Sequence, residues 1–258
     1  MKIGLSSITF RHLPLRKFLD ISRELDFDHI DIAGVPGWAP HLNFPSIADA
    51  DITGLLEDLK RLNLKVSSFN VGGDIASPIH SEKSVEFIKS AIRVANRIGV
   101  PIITVGAGSK SGVKNLSINN VRKLIKFSEE YGVTFTLELP HLRTLAEKWK
   151  EALTYLNEIP ELFITLDTSH LYTSGGTIMD IEPFIDRIKH IHLRDAKGSD
   201  VSYVPGEGEF DFKSLFKLIK SKYSGVYVLE LEFHEITPNA IVDKVKSSKT
   251  YIIEAFQL

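Results

Sequence analysis

The stretch SVEFIKSAIRVANRIGVPIITVGAG (residues 84–108) contains one complete helix-to-strand unit. Its first part places apolar residues three and four positions apart, the period of a helix with one buried face; these are Val85, Ile88, Ala91, Ile92, Ala95 and Ile98. Gly99 follows directly, at the position where a left-handed residue commonly ends a helix. The short apolar run after Pro101 is typical of a parallel strand buried on both faces. The stretch therefore predicts a helix, a glycine stop and a buried strand.

The same unit recurs along the whole chain. Eight strand candidates begin near Lys2, His29, Leu64, Pro101, Val133, Leu162, His190 and Val226, with helical patterns between them. From residue 2 to residue 226 there are seven steps, each of about 32 residues, and an eightfold barrel of about 250 residues needs roughly 31 per unit. The sequence therefore predicts an α/β fold, a (β/α)8 TIM barrel that forms a single domain over residues 1–258.

The composition excludes several classes of protein. The 258 residues are 43% hydrophobic and 25% charged, with a net charge of −2 and no cysteine. The missing cysteine excludes disulfide frameworks, thiolate zinc sites and cysteine nucleophiles, and the charge favours no nucleic-acid partner. No stretch reaches the roughly 18–20 apolar residues of a membrane span, and the N-terminus lacks the apolar region of a signal peptide. We therefore expect a cytoplasmic protein with no membrane partner.

Ionisable residues cluster at the ends of the last four predicted strands. One stands on each strand: Glu138, Asp167, His192 and Glu230. Active sites of TIM barrels lie at this end, and carboxylates buried together there repel one another unless a cation neutralises them. Three hard oxygen ligands with one imidazole predict one divalent metal ion, with Mn²⁺, Mg²⁺ or Co²⁺ favoured and Zn²⁺ also compatible.

Two residues near this cluster allow other interpretations. His190 shares a strand face with His192 but lies two residues deeper, which favours a role in core packing. Glu232 shares a face with Glu230 but falls beyond the strand, and it is an alternative metal ligand.

Several motifs resemble those of the xylose isomerase-like barrel superfamily. They are LELP (137–140), LDTSH (166–170), HIHLRD (190–195), VPGEGEFDF (204–212) and GVYVLE (225–230), in matching order and spacing. That superfamily includes sugar isomerases and epimerases, inosose dehydratases and endonuclease IV. The motifs cover the C-terminal half of the chain, the strand rhythm covers all of it, and neither is specific to one substrate.

The resemblance implies a role for each matching residue. In the isomerase and epimerase branch, the four residues at the strand ends would hold a single divalent metal ion. Glu138 and Glu230 would in addition be the catalytic acid and base. His170, the histidine of the D-x-x-H motif, would contact the substrate or metal-bound water.

Three further residues are candidates for substrate binding. Arg194 can bind a substrate oxygen or pair with its neighbour Asp195. Trp38, in the loop VPGWAPH (35–41), can close over the site together with His41 or pack on the barrel rim. Asn70 stands at the end of the third predicted strand.

The predicted function is that of a metal-dependent isomerase or epimerase of a sugar or keto-polyol. A metal-stabilised enediolate would form while a glutamate moves the proton. A dehydratase of an inosose- or dehydroshikimate-like substrate, with the same metal set, is the alternative, and a non-catalytic sensing barrel is a third. An endonuclease IV-like nuclease is least favoured, because strands three and four end in Asn70 and Ser109 where that family has histidines. The expected partner is a small-molecule sugar or polyol, and the resemblance is compatible with a homo-oligomer.

Overall fold

A computed structural model, which describes residues 1–233 and 237–257, forms a closed barrel of eight parallel strands. The described residues contain ten strands in all, eight of them in the barrel: β1 (Lys2–Ser6), β2 (His29–Gly34), β3 (Lys65–Val71), β4 (Ile102–Val105), β5 (Thr134–Glu138), β6 (Phe163–Asp167), β7 (Ile188–Leu193), β8 (Asp195–Lys197), β9 (Asp200–Tyr203) and β10 (Val226–Leu229). The barrel closes in the order β1-β10-β7-β6-β5-β4-β3-β2, and β8 pairs with β9 as a separate antiparallel hairpin. The predicted (β/α)8 TIM barrel is thus confirmed.

Helices connect the barrel strands. They are α1 (Leu15–Glu24), α2 (Asp49–Leu62), α3 (Ser81–Ile98), α4 (Lys114–Glu130), α5 (Trp149–Glu158), α6 (Thr168–Thr173), α7 (Phe212–Ile219) and α8 (Pro238–Gln257). The segment that the sequence predicts as a helix over 180–189 is instead a 3₁₀ helix, Met179–Arg187. Pro183 lies inside it and cannot donate the backbone hydrogen bond that an α-helix requires. Short α6 and the β8–β9 hairpin have no hydrophobic period and were not predicted.

The barrel interior contains polar side chains that satisfy one another. Three fully buried hydroxyl groups, those of Thr104, Thr136 and Thr165, lie 2.8–3.1 Å apart on β4, β5 and β6. Alternate strand residues such as Ile103 and Ile164 are equally buried and belong to the large apolar core. Because side chains alternate along a strand, one face of β4, β5 and β6 packs in this apolar core and the other points these threonines into the barrel interior.

Two glycines on neighbouring helices are expected to respond in opposite directions to alanine. Gly99 ends α3 with φ +77°, where a Cβ is strained although nothing lies within 4 Å. Gly54 lies within α2, also with nothing within 4 Å of an added Cβ. We expect Gly99→Ala to destabilise the fold by about 1 kcal/mol, and Gly54→Ala to stabilise it by about 0.5–1 kcal/mol. Urea unfolding midpoints measure both changes, and equal signs would contradict the assigned backbone conformations.

Among the described residues, no helix is both long and apolar enough to cross a bilayer.

Candidate metal centre and active site

Four side chains converge at the C-terminal end of the barrel. Glu138 ends β5, Asp167 ends β6, His192 lies near the end of β7, and Glu230 directly follows β10. These strands are consecutive in the barrel, so the four residues form one continuous arc. One ligand atom from each lies within 4.8 Å of all the others. The structure therefore brings together the four residues that the sequence predicts as metal ligands.

The donor set fits a divalent cation. Glu138 and Glu230 are 3% exposed, and Asp167 and His192 are fully buried. Donors bound at about 2.1 Å from an ion lie no more than about 4.2 Å apart, so small side-chain shifts suffice to enclose one. Three carboxylate oxygens and one imidazole nitrogen are ligands that such cations accept. The site can hold a metal ion, while the roles of the individual residues stay predictions.

Charge repulsion and attraction are strong inside this arc. The Nδ1 atom of His192 lies 3.5 Å from Oε1 of Glu138 and 3.5 Å from Oε2 of Glu230. Burial, reinforced by the charge of Glu138, raises the pKa of Glu230 to about 8, although His192 opposes this. Burial would lower the pKa of His192, but the Glu230 charge and hydrogen bonds to Asp31 and Glu138 raise it well above its usual value. Excess negative charge in this space is therefore balanced by a proton, which a metal ion can replace.

Hydrogen bonds to both carboxylate oxygens hold Asp167 in place. Its Oδ1 atom accepts hydrogen bonds from the amides of Ser169 and His170, at 2.8 and 3.0 Å, and thereby caps α6. Its Oδ2 atom accepts a 2.9 Å hydrogen bond from Nη2 of Arg194. Burial alone would raise the pKa of Asp167, but the charges of Arg194, His170 and His192 and the Ser169 hydrogen bond together outweigh it and keep that pKa well below its usual range.

Arg194 organises this side of the site. Its side chain is buried, and it pairs with both Asp167 and Glu232. Nη2 also donates to Nε2 of His170 at 2.9 Å. His170 must therefore accept at Nε2 and carry its proton on Nδ1, and burial lowers its pKa to about 3. Glu232 thus serves as a partner of Arg194 and lies outside the arc of four ligand atoms.

The alternative in which Arg194 pairs with Asp195 is wrong. Both oxygens of Asp195 are occupied by backbone amides: those of Ala196 and Phe210 at Oδ1, and those of Gly206 and Gly208 at Oδ2. A Cβ at position 208 would lie 2.3 Å from Oδ1 of Asp195, so only glycine allows this approach. The VPGEGEFDF motif is thus a loop wrapped around the Asp195 carboxylate.

A cavity of about 310 Å³ opens beside the arc, at its two glutamates. All four predicted substrate-binding residues line it, as do Glu138 and Glu230; they are Trp38, Asn70, His170 and Arg194. Nδ2 of Asn70 donates to Oε2 of Glu230 at 3.2 Å, so this residue also orients a ligand. Contact between these residues and a substrate stays a prediction.

Trp38 and His41 have separate positions. Trp38 lines the cavity, is 39% exposed, and has the guanidinium of Arg11 5.1 Å from its ring centre. His41 instead donates to the carbonyl of Leu13 at 2.9 Å and packs beside Phe18 on α1. Trp38 alone of this pair is placed to cover a bound molecule, and His41 anchors the loop to the rim.

Sequence reasoning missed several residues that support the site. His141, which lines the cavity, stacks on His170 at a ring distance of 4.7 Å and has Nδ1 3.4 Å from Oε2 of Glu138. The position of His141 directly after the LELP motif could have indicated that it lies at the site. Asp31 and Ser68, in the middle of β2 and β3, lie beneath the arc beside His190. The expectation that His190 is a core residue agrees with its complete burial.

The fold and these residues allow a comparison with known proteins. The family described as the xylose isomerase-like TIM barrel matches residues 19–251. The chain belongs to this family. The match spans α1 to α8 and includes all four residues of the metal arc, so the resemblance seen in the sequence motifs is confirmed.

Three relatives of this xylose isomerase-like barrel show the reactions found among similar proteins. The inosose isomerase of Halalkalibacterium halodurans is 22% identical, over 95% of this chain and 93% of that protein. The inosose dehydratase of Clostridium botulinum is 23% identical, over 98% of this chain and 97% of that protein. The structure of D-psicose 3-epimerase from Clostridium cellulolyticum H10 with D-tagatose has a TM-score of 0.83 at 16% identity, over 99% of both chains. All three are enzymes.

Proposed function

We propose that this protein is a divalent-metal-dependent isomerase or epimerase of a sugar or keto-polyol. The observation that supports this most is the arc itself, in which two glutamates flank Asp167 and His192 beside an open cavity. A divalent ion held there would polarise a substrate carbonyl and stabilise the negative charge of an enediolate. Mn²⁺, Mg²⁺ or Co²⁺ suits the three oxygen donors and one nitrogen donor best, with Zn²⁺ also compatible.

Glu138 and Glu230 move protons in this proposal. They occupy the two ends of the arc, separated by strands β6 and β7. Two carboxylates that reach a substrate carbon from opposite sides can remove a proton from one face and return one to the other, which inverts that carbon. A single glutamate that returns the proton to the neighbouring carbon gives isomerisation instead.

His170 and Arg194 orient the substrate in this proposal. Because Arg194 holds Nε2 of His170 as an acceptor, the Nδ1 proton of His170 is available to donate, and Nδ1 has no hydrogen-bond partner among the described residues. The low pKa of His170 keeps this imidazole neutral at physiological pH. His170 is therefore a hydrogen-bond donor to a sugar oxygen and not a general acid.

The charge of the cavity favours an unphosphorylated substrate. Carboxylates line it at Asp74, Glu138, Glu230 and Glu232, whereas Arg194, its one arginine or lysine within the described residues, is already paired with Asp167 and Glu232. Nearby Lys110 is paired with Glu147. A divalent ion in the arc would itself attract a phosphate dianion, but the described residues that line this space offer it no unpaired arginine or lysine and add the carboxylates of Asp74 and Glu232.

Deuterium exchange tests the proposed function. We expect Mn²⁺-loaded protein in D₂O to exchange the proton next to the carbonyl of a neutral ketose or inosose, followed by NMR. Phosphate esters of the same sugars are expected to exchange at least about 10-fold more slowly, because each charge repelled in a partly dry site costs more than 1.4 kcal/mol. Faster exchange of the esters would contradict the substrate class, and no exchange across the panel would contradict the enediolate reaction.

A dehydratase is the second candidate, favoured by the inosose dehydratase among the relatives. It would use the same arc and the same proton abstraction, but the intermediate would then lose water. Exchange accompanied by an inverted or rearranged sugar supports an epimerase or isomerase. Exchange accompanied by new ultraviolet absorbance from a conjugated product supports the dehydratase.

A further inference from the structure

A second group of buried polar side chains lies directly beneath the metal arc. Asp31 on β2, Ser68 on β3, and His190 on β7 are all fully buried, and none belongs to the four proposed ligands. They meet His192 from below. Oδ2 of Asp31 lies 3.4 Å from Nε2 of His192, while Nδ1 of the same ring faces Glu138 and Glu230.

The hydrogen bonds of this group define where its protons lie. The hydroxyl of Ser68 donates to Oδ2 of Asp31 at 2.6 Å, so its oxygen is free to accept from Nε2 of His190 at 2.8 Å. An ionised carboxylate only accepts hydrogen bonds. Nε2 of His192 must therefore be the donor in its contact with Asp31, which leaves Nδ1 as the nitrogen directed at the arc.

We propose that Asp31 is a positioning residue that orients His192 as a metal ligand. It holds the proton on Nε2 and thereby presents the Nδ1 lone pair to an ion bound by Glu138, Asp167 and Glu230. Ser68 and His190 hold the Asp31 carboxylate in turn. Metal-binding histidines commonly donate their second N–H to a carboxylate, which orients the ring and raises its basicity. This inference rests on the proposed metal site and adds a residue that touches neither metal nor substrate.

A second metal ion is the competing interpretation of the same atoms. Asp31, His190 and His192 also offer three ligand-type atoms close to one another. However, Ser68 lies within hydrogen-bond distance of both Asp31 and His190. Its hydroxyl proton lies in the contact with Asp31, and the Nε2 proton of His190 lies in the other. The geometry therefore favours hydrogen bonds, and the number of ions bound per chain distinguishes the two interpretations.

The inference is tested by comparing the Mn²⁺ affinity of the isosteric variant Asp31→Asn with that of wild type. Asp31→Asn keeps the size of the side chain but removes the charge, and its amide can donate to His192 Nε2 and reverse the tautomer. We expect Mn²⁺ binding, followed by the electron paramagnetic resonance of free Mn²⁺, to weaken about 10–100-fold. Thr136→Val is the matched control, because Thr136 is as buried and hydrogen-bonded as Asp31, but among the described residues its hydrogen bonds go only to Thr104, Thr165 and a backbone carbonyl. Its Mn²⁺ affinity should stay within about 2-fold of wild type.

A second variant and a spectroscopic readout separate positioning from stability. Ser68→Ala leaves the Asp31 charge in place and should weaken Mn²⁺ binding by less than Asp31→Asn does. In Zn²⁺-loaded protein labelled with ¹⁵N-histidine, we expect His192 to show a proton on Nε2 and metal at Nδ1. Metal at Nε2 would overturn the inference.

The possible results are distinct. One ion per chain in wild type with equal affinity in Asp31→Asn overturns the inference and leaves the proposed function intact. Two ions per wild-type chain and one in Asp31→Asn would make Asp31 a ligand and overturn it as well. No ion bound to wild type overturns the metal site on which the proposed function depends.

Discussion

Replacing Glu138 or Glu230 with glutamine is expected to lower the rate of proton exchange about 10³-fold at saturating Mn²⁺. Glutamine keeps the size of the side chain but cannot accept and return a proton, and positioned acids and bases contribute about 10²–10⁴-fold to such reactions. The loss of one anionic ligand will also weaken metal binding, so exchange must be measured as Mn²⁺ is raised to saturation. We expect excess metal to fill the site without restoring the rate.

Glu209→Gln is the control for these variants. Glu209 belongs to the VPGEGEFDF motif but lies on the surface, where it accepts a hydrogen bond from the hydroxyl of Tyr172. The proton-exchange rate of Glu209→Gln should remain within about 2-fold of the wild-type rate, because Glu209 does not touch the reacting atoms. If Glu138→Gln and Glu230→Gln both keep more than a tenth of the wild-type rate with metal bound, the assignment of glutamate catalysis is wrong.

Arg194→Met is expected to destabilise the fold by about 3–5 kcal/mol. The guanidinium is buried and pairs with Asp167 and Glu232. Burial lowers the pKa of Arg194, but the nearby carboxylate charges, that of Asp167 first, raise it above the usual value for arginine. Without the guanidinium, the fully buried Asp167 has no cationic partner, and His170 loses the hydrogen bond at its Nε2 atom. Urea unfolding measures the free-energy change from the shift in midpoint.

Arg16→Met provides the matched comparison, because Arg16 also pairs with an aspartate, Asp58, but its side chain is 73% exposed. Surface ion pairs contribute about 0–1 kcal/mol, so this variant should stay close to wild type. Arg194→Lys keeps the charge but loses the planar fork that contacts several partners at once, and should fall between the two. Equal losses at positions 194 and 16 would show that the buried pairing contributes no more than an exposed one.

The predicted ligands illustrate how far sequence reasoning reaches. Glu138, Asp167, His192 and Glu230 could be identified because parallel barrel strands all end at the same rim. Residue type and strand position are then enough to place distant groups together. Asn70 also stands at a strand end, and the resemblance of the D-x-x-H motif pointed to His170; both residues line the cavity. Sequence reasoning did not identify Asp31 as part of the site, because nothing in the sequence connects this residue of β2 with His192.

The partners of individual polar groups depended on the tertiary structure. Arg194 and Asp195 are adjacent, and successive residues in extended chain point to opposite sides, so Arg194 turns to Asp167 and Glu232 while Asp195 turns to the amides of its own loop. Likewise, Asp31 meets His192 only because the closed barrel brings β2 and β7 across a shared interior.

The sequence by itself determined the architecture and which ionisable residues meet at the barrel mouth. Hydrophobic period, glycine stops and repeat length are local or regular, and the eightfold pattern allows few other folds. Only the tertiary structure decided which hydrogen bonds orient the site, such as Asn70 to Glu230 and Asp31 to His192. Those contacts join residues more than a hundred positions apart and depend on atomic distances of about 3 Å, which spacing along a chain does not encode.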